Sequence, residues 1–350
     1  MAPTADLSAH RAREGLALAA ERSDGGGVRA WQDHPWVTEG RGRIRLGVGV
    51  TTRAAEVSGA SRLAFAQAVD DLGFDSIWVP DHPFFITDCW AMLAAYATVT
   101  RRVRLGPLVS CNLYRSAVMT ARLAADVDRL SGGRAVVGIG AGWLELEFRL
   151  MGIALPEPRE QMAALTRTLT DLPRYWYGPR MQVDFATGET AGEALWWPPV
   201  QRPRLPILVG GSGERITLRR VAQHADMCNL EDQYAQTPDD VRRKLAALRG
   251  HCAAVGRPYE SVIKSYFVNG VALAATTQGV AAKIGALPPL MTGASQRYMC
   301  TPAEFVERVH PILAEGIDYV IVNLTGFEDI ETLELLAAHV LPALQVAAAA

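Results

Sequence analysis

Residues 205–215 read Leu205-Pro-Ile-Leu-Val-Gly-Gly-Ser-Gly-Glu-Arg215, a short apolar run followed by three glycines within four positions. Unbroken apolar residues of this kind are typical of a parallel strand that is buried on both faces. Gly210, Gly211 and Gly213 allow the backbone to turn sharply and to approach a ligand without an intervening side chain. We therefore predict a strand that ends in a glycine-rich turn. Such a turn, when it occurs alone, is more often an ordinary connection than a binding site.

The residues after this turn indicate a helix. We expect Ser212 to cap a helix that begins near Glu214, because a serine side chain accepts the free N–H groups of a first helical turn. Those N–H groups and the helix dipole together attract anions. We interpret the stretch as a phosphate cradle at the carboxyl end of a buried strand.

A second stretch has the same form and makes a binding site the better interpretation. It reads Arg134-Ala-Val-Val-Gly-Ile-Gly-Ala-Gly-Trp143, in which an apolar run contains Gly138 and leads to Gly140, Ala141 and Gly142 before a helical segment. Two buried strands that both end in glycine-rich turns predict a single site at one end of one sheet.

Eight apolar segments alternate with helical patterns along the chain, as expected for a parallel sheet. The predicted strands are 43–50, 74–82, 102–110, 134–140, 206–210, 227–230, 262–273 and 317–324. Eight strand–helix units predict an α/β fold of the closed (β/α)8 type, a TIM barrel whose site lies at the carboxyl ends of the strands. A doubly wound open sheet is the alternative, and the absence of a two-half pattern argues against it.

The same pattern divides the chain into segments. Residues 1–42 are polar and glycine-rich, and we expect them to form a mobile N-terminal extension that contributes little to the core. Residues 43–345 are expected to form one barrel domain, and residues 346–350 an alanine-rich tail. A long insertion follows strand four, and its Trp196 and Trp197 would either cover a planar ligand or pack the insertion onto the barrel.

Composition argues against several classes of protein. The net charge of −2 gives no indication of a nucleic-acid or membrane-surface partner, and no segment has the length and apolar character of a membrane span. The five scattered cysteines include no Cys-x-x-Cys pair, which argues for a reducing compartment and against a zinc site or a disulfide framework. We expect a cytoplasmic protein that acts on a small molecule and binds no metal.

Asp81 and His82 end predicted strand two and would face the mouth of the barrel. Of the seven histidines, only His82 lies at the carboxyl end of a predicted strand. A histidine in that position can donate a hydrogen bond to a cofactor ring or a substrate, or exchange a proton with it. This position favours a catalytic role, and the competing interpretation is a pair of residues that only fixes the loop.

Other polar side chains follow predicted strands three and four. Tyr114 and Arg115 would hold a phosphate or the edge of a ring, and pairing of Arg115 with a surface carboxylate agrees equally well with the sequence. Glu145 and Glu147 are two positions apart, so their side chains would diverge on a helix. A hydrolase built on paired carboxylates is therefore a poor interpretation.

With these residues in view, the sequence resembles the bacterial luciferase-like flavin and deazaflavin oxidoreductases over about residues 43–345. Four separated motifs carry the resemblance in the family's order: Phe74-Asp-Ser-Ile-Trp-Val-Pro-Asp-His82, Arg104-Leu-Gly-Pro-Leu-Val109, Gly138-Ile-Gly-Ala-Gly-Trp-Leu-Glu-Leu-Glu147 and Pro206-Ile-Leu-Val-Gly-Gly-Ser-Gly213. Two further segments, Gly213-Glu-Arg-Ile-Thr-Leu and His224-Ala-Asp-Met-Cys-Asn-Leu230, are most similar to the subgroup that uses coenzyme F420.

The resemblance implies a (β/α)8 barrel with an insertion after strand four, in a protein that is usually a homodimer. It implies that the deazaflavin ring lies across the strand ends and that a phosphate lies at the glycine-rich turns. It also implies a non-prolyl cis peptide bond between Leu108 and Val109, which would support the ring. The candidate cofactor-binding residues are Asp81, His82, Leu108, Val109, Tyr114, Gly140, Ala141, Gly142, Gly210, Gly211, Ser212 and Gly213.

The leading hypothesis is an F420-dependent oxidoreductase, in which the cofactor carries the hydride and His82 assists proton or hydride transfer. Trp143 stands where sugar-phosphate dehydrogenases of this subgroup have an acidic residue, which argues against a sugar-phosphate substrate. An FMN-dependent monooxygenase that needs a reductase partner is one alternative. A non-catalytic flavin- or deazaflavin-binding protein is another, because fold alone does not decide between them.

Overall fold

The computed structural model describes residues 32–50, 57–287 and 296–349, with side chains described to residue 345. Its strands are β1 (Arg45–Val50), β2 (Ser76–Val79), β3 (Arg104–Pro107), β4 (Ser110–Cys111), β5 (Val137–Gly140), β6 (Gln182–Val183), β7 (Thr190–Ala191), β8 (Ile207–Gly210), β9 (Met227–Glu231), β10 (Ile263–Leu273), β11 (Met299–Cys300) and β12 (Tyr319–Leu324). Its helices are α1 (Pro35–Glu39), α2 (Gly59–Asp71), α3 (Cys89–Val99), α4 (Ala117–Leu130), α5 (Glu145–Leu150), α6 (Pro158–Tyr177), α7 (Thr217–His224), α8 (Pro238–Ala254), α9 (Thr277–Gly285), α10 (Pro302–Leu313), α11 (Ile330–Leu335) and α12 (Leu341–Ala349). None of these helices combines the length and the apolar character needed to cross a bilayer.

The parallel strands form a barrel whose third position is split into two strands. β3 pairs with β2, whereas β4 pairs with β5, so the two halves of this position connect the two ends of the sheet. The remaining positions follow in the order β2, β1, β12, β10, β9, β8 and β5, and all of these pairs are parallel. The eight-position barrel predicted from the sequence is therefore confirmed, and the open-sheet alternative is wrong.

The insertion after the fourth barrel position is also confirmed, and Trp196 and Trp197 each have one contact that bears on their role. It contains α5, α6 and the antiparallel pair of β6 and β7. Trp196 donates from Nε1 to the Met181 carbonyl at 2.8 Å. The Trp197 ring lies 5.3 Å from the guanidinium of Arg129, in the last turn of α4. The Trp197 contact supports packing of the insertion onto a barrel helix, whereas the Trp196 contact lies within the insertion.

Apolar side chains fill the interior of the barrel around Trp78, which is 1% exposed. The indole occupies space that glycines on the neighbouring strands leave open. A Cβ atom at Gly47 would lie 2.6 Å from Trp78 Nε1, and one at Gly106 would lie 2.7 Å from Trp78 Cζ3. Protein interiors are close-packed, so side chains at these two positions would displace the indole.

The amino ends of the strands are closed by α1, which places Trp36 under the barrel. Trp36 is 3% exposed and donates from Nε1 to Asp75 Oδ2 at 3.0 Å. Its ring meets the edge of Tyr319 at a centroid distance of 6.0 Å, and the Arg45 guanidinium lies 5.3 Å from its centroid. These partners come from the amino ends of three different strand positions, so α1 ties them together.

This closure corrects the predicted domain boundaries. The expectation that residues 1–42 contribute little to the core is wrong for Trp36 and Val37, which are both at most 3% exposed. The sequence analysis missed them because α1 has only five residues and stands alone before the strand pattern begins. Residues 1–31 lie outside the described residues. Residues 346–349 continue α12 and do not form a separate tail.

We expect Trp36→Ala to lower the free energy of unfolding by about 3–5 kcal/mol, the usual cost of deleting a buried aromatic side chain. Trp197→Ala serves as the control, because Trp197 is 60% exposed and its loss should cost less than about 1 kcal/mol. Urea denaturation followed by fluorescence measures both values. Equal effects of the two substitutions would contradict the structural role of Trp36.

The residue before α1 makes the fold sensitive to acid. His34 is 2% exposed, and its Nδ1 accepts the Trp36 N–H at 3.1 Å. Burial, followed by the charges of Arg104 and Arg204, lowers the pKa of His34 to about 3. The unfolded chain therefore binds a proton near pH 6.5, whereas the folded protein does not bind it until about pH 3. The stability of the folded state with neutral His34 is complete above about pH 6.5, and it is lost as the pH falls from there to about 3.

We expect His34→Asn to reduce the acid sensitivity of folding, because asparagine keeps the capping acceptor and does not titrate. Between pH 6 and pH 4, the free energy of unfolding of the variant should fall less steeply than that of the wild type, by up to about 1 kcal/mol per pH unit. Urea denaturation at several pH values gives both slopes. Parallel slopes would show that His34 is protonated in the folded protein as readily as in the unfolded chain.

Candidate active site

The two glycine-rich turns lie side by side at the carboxyl edge of the barrel, as the sequence predicted. β5 ends at Gly140 and β8 ends at Gly210, and these two strands pair in parallel. The Val109 side chain packs against both glycines. A Cβ atom at Gly140 would lie 2.7 Å from Val109 Cγ2, and one at Gly210 would lie 2.9 Å from both Val109 methyl groups. Glycine at both strand ends therefore makes room for Val109.

The peptide bond between Leu108 and Val109 is cis, at the position that the resemblance implied. It lies between β3 and β4, where the third barrel position splits. The Leu108 N–H donates to the Val79 carbonyl at 2.8 Å, which holds this point against the end of β2. Both side chains pack against the apolar cluster inside the barrel, so the bond forms part of the floor beneath the carboxyl edge.

The turn after β8 differs from the prediction, because Ser212 does not cap a helix. α7 begins at Thr217, three residues later than expected, and Ile216 precedes it without a capping side chain. The Gly213 carbonyl accepts the Leu218 N–H at 3.0 Å, so the chain forms a wider loop before the helix starts. Ser212 is 6% exposed, and its carbonyl accepts a hydrogen bond from Lys244.

The backbone of both turns requires glycine. Gly142 has a φ of 89° and Gly211 a φ of 96°, a region that other residues rarely adopt. A Cβ atom at Gly142 would also lie 2.9 Å from Cys111 Sγ. Ala141 is half-buried beside the first turn, and Gly213 is exposed beside the second. The two turns thus present backbone, with little side chain, toward the carboxyl edge.

His82, Glu147 and Tyr114 form a hydrogen-bonded cluster beside these turns. His82 Nδ1 lies 3.0 Å from Glu147 Oε2, and the Tyr114 hydroxyl donates to the same oxygen at 3.0 Å. Glu147 is 1% exposed, and its Oε1 has no hydrogen-bond partner among the described residues. The His82 side chain is 27% exposed. The buried Glu147 carboxylate therefore holds one edge of the His82 ring, and the rest of the ring remains partly exposed.

The hydrogen bonds of the cluster indicate which of its atoms donate. Because a carboxylate accepts at Nδ1, that nitrogen of His82 carries a proton, and Nε2 remains for a ligand. Burial, together with the neighbouring Cys111 and the hydrogen bond to Glu147, raises the pKa of Tyr114 well above its usual range. Tyr114 therefore stays protonated and serves as a donor to Glu147. The Trp143 ring stands edge-on to His82, with 6.1 Å between centroids.

Asp81 faces the protein, and its carboxylate is fully engaged there. It accepts two hydrogen bonds from Arg115, at 2.6 and 3.1 Å, and one from the Cys111 N–H at 2.9 Å. Burial alone would lower the pKa of Arg115, but the hydrogen bonds and charge of Asp81 outweigh it and raise the pKa. Of the two interpretations of Arg115, the structure shows pairing with carboxylates, which are the buried Asp81 and the more exposed Asp88. Asp81 therefore positions the end of β4.

Sequence reasoning missed the role of Glu147. The predicted divergence of Glu145 and Glu147 is confirmed, since Glu145 is exposed and Glu147 is buried. The missed signal was the position of Glu147 next to Phe148, a large apolar residue that faces the core of the same short helix. A carboxylate on the buried side of a helix needs a polar partner, and the nearby strand end supplies His82.

The far side of the carboxyl edge carries a second polar group that the sequence analysis did not identify. Asn269 Nδ2 donates to Glu231 Oε1 at 3.2 Å and to Asp232 Oδ1 at 3.3 Å, and Asn323 Nδ2 donates to Asn269 Oδ1 at 3.1 Å. Burial raises the pKa of Glu231 and of Asp232, and in Glu231 the neighbouring Asp232 adds to the effect. The sequence feature that could have indicated this group is the polar residue near the end of each of these strands.

Comparison with known proteins places this geometry in context. A family described as luciferase-like monooxygenase matches residues 44–287. The coenzyme F420-dependent tetrahydromethanopterin reductase of Methanopyrus kandleri has a TM-score of 0.68 at 17% identity, over 86% of this chain and 99% of its own. The monooxygenase RslO1 of Streptomyces bottropensis has a TM-score of 0.69 at 24% identity, over 85% and 99%. The oxygenating constituent of 3,6-diketocamphane monooxygenase of Pseudomonas putida, in complex with FMN, has a TM-score of 0.67 at 14% identity, over 86% and 98%.

Proposed function

The chain belongs to the luciferase-like monooxygenase family, and we propose that it is an F420-dependent oxidoreductase that transfers a hydride between the deazaflavin and a small organic substrate. The pair formed by His82 and Glu147, at the carboxyl edge of the barrel beside the two glycine-rich turns, carries this proposal. It provides an oriented proton donor or acceptor at the place where family members are expected to hold their cofactor.

The residues present fit a planar cofactor that carries a phosphate. Because Gly140 and Gly210 have no side chains, Val109 packs directly over these strand ends. Its methyl groups provide an apolar surface suited to the face of a ring. Gly211 and Gly142 present backbone at the rim, where N–H groups can meet a phosphate. His82, which is partly exposed, borders this surface.

The similarity of two segments to the F420-dependent subgroup favours F420 over FMN. Residues 213–218 and 224–230 are most similar to the F420-dependent subgroup. The reductase of Methanopyrus kandleri, which shares the fold, depends on F420. The two monooxygenases with the same fold support the alternative, an FMN-dependent monooxygenase that needs a separate reductase.

The chain's own residues would transfer and position the proton in this reaction. The bound cofactor supplies or accepts the hydride. His82 Nε2 would give or take the proton that balances hydride transfer at a substrate oxygen or nitrogen. Glu147 would stabilise the imidazolium and keep Nδ1 protonated, and Tyr114 would hold Glu147 in place. Asp81 would act indirectly, because it holds the end of β4 in place.

Separate titrations of the wild-type protein with F420 and with FMN test the choice of cofactor. We expect F420 to bind with the lower Kd, as measured by cofactor fluorescence, and reduced F420 to be oxidised when a suitable acceptor is added. Tight binding of FMN without binding of F420 would contradict the proposal and support the monooxygenase. Binding of F420 without turnover of any acceptor would favour a carrier protein.

We expect His82→Ala to lower the rate of hydride transfer by roughly 10²–10⁴, the usual contribution of a positioned acid or base, and to leave the Kd for F420 within a few-fold. Glu147→Gln keeps both hydrogen bonds but removes the charge, and should lower the rate by roughly 10–100-fold. Stopped-flow measurement of F420 oxidation gives these rates, with exposed His310→Ala as the control. If His82→Ala abolished cofactor binding in a folded protein, His82 would be a binding residue.

We further propose a homodimer, as the resemblance implies, and a cytoplasmic location, as the cysteine usage indicates. All five cysteines are buried and unbridged, which agrees with a reducing compartment. A molar mass of one chain in light scattering would contradict the dimer.

A further inference from the structure

Four arginines line a groove beside the second glycine-rich turn. Arg159 lies in the first turn of α6, and Arg215, Arg219 and Arg220 lie just before or within α7. They surround a cavity of about 240 Å³, and no acidic side chain is among its lining residues. The rest of the wall is short or apolar, and Ile216 there is 48% exposed. The groove is therefore strongly positive.

Neighbouring carboxylates do not neutralise this charge. Within the described residues, Arg159, Arg215 and Arg219 form no ion pair. Glu214, which precedes Arg215 in the chain, lies 2.9 Å from Arg243 of α8. Glu157 and Glu160 flank Arg159 in the chain, and neither forms an ion pair with it.

Arg220 shows the effect of this uncompensated charge on its surroundings. Its side chain donates to the neutral Gln223 at 2.7 Å, and its Nε is buried without a hydrogen-bond partner. Burial, followed by the positive charge of Arg220, lowers the pKa of His224 to about 4. An anion in the groove would relieve this repulsion.

Several other surface arginines of the described chain lie against carboxylates. Arg242 pairs with Glu315 and Asp239, Arg122 with Asp126, and Arg174 with Asp171 and Glu193. Like charges that are gathered without counter-charges repel one another and destabilise the folded state. A groove that gathers four arginines on two packed helices therefore indicates a site for an anion with several charges.

The groove adjoins the proposed cofactor site along the chain. Arg215 follows Gly213 by two residues, and the Gly213 carbonyl bonds to the first turn of α7. A ligand whose phosphate lies at the glycine-rich turn thus has the groove as its immediate neighbour. The glycine-rich turns themselves do not distinguish F420 from FMN, because both cofactors carry a phosphate.

We propose that the arginine groove binds the anionic tail of F420, the chain of linked glutamates that extends beyond its phosphodiester. The inference rests on the proposed function, since FMN ends at its phosphate and has no such tail. Carboxylates spaced along a flexible chain pair well with guanidinium groups, whose paired N–H donors match the two carboxylate oxygens. The groove then selects F420 over FMN by charge, outside the barrel.

The test is the double variant Arg215→Gln/Arg219→Gln, in which two exposed positive charges are removed without loss of buried packing. We expect the Kd for F420 with a long glutamate tail to rise about tenfold at low ionic strength, and the Kd for F420 with a single glutamate to change less than about twofold. The variant Arg242→Gln removes a surface arginine that is already paired with carboxylates, and should leave both values unchanged.

The outcomes separate this inference from the proposed function. If the wild type binds F420 with equal affinity at every tail length, or if the double variant weakens both forms equally, the inference is overturned while the F420-dependent function stands. If the wild type binds no form of F420, the proposed function fails and the inference fails with it. A tail-length dependence that disappears in the double variant and at high salt supports the inference.

Discussion

The close packing of Val109 against the glycines that end β5 and β8 is the contact on which the carboxyl edge depends. Its side chain fills the space that a Cβ atom at Gly140 or Gly210 would occupy. With Val109 in this position, β4 lies against β5, and the third barrel position connects the two ends of the sheet. The same placement brings the Cys111 N–H to Asp81 and the Tyr114 hydroxyl to Glu147. Closure of the barrel and assembly of the polar cluster are therefore consequences of one packing arrangement.

Stability and chemistry lie at opposite ends of this barrel. At the amino ends, Trp36 closes the interior and meets Asp75 and Tyr319, while Trp78 fills the space above. At the carboxyl ends, the interior becomes polar, with His82 on one side and Glu231 on the other. This separation is general in (β/α)8 barrels, because connections at the carboxyl edge vary while the opposite end holds the strands together. Here the amino-terminal helix α1 contributes to the stable end.

The repeating strand–helix units and the glycine-rich turns could be predicted from the sequence. Features that depend on contacts between distant residues could not. The strand–helix rhythm and the glycines after two strands were sufficient to predict the barrel and the edge that carries the site. The wide loop before α7 was missed, because its shape depends on contacts such as that between Lys244 and the Ser212 carbonyl. Glu147 was missed for a similar reason, since its partner His82 lies 65 positions earlier in the chain. A local sequence pattern does not indicate which distant residue will be the partner.

The distribution of charge also limits what the site accepts. The arginine groove lies outside the barrel at α6 and α7, whereas the inner edge opposite His82 carries Glu231 and Asp232. Burial raises the pKa of both carboxyl groups, because removal from water is costly for the charged form. The negative charge of a phosphate beside them would disfavour their ionised forms still more, with an effect that grows as water is excluded. An anionic group is therefore less favourable at this edge than at the arginine groove.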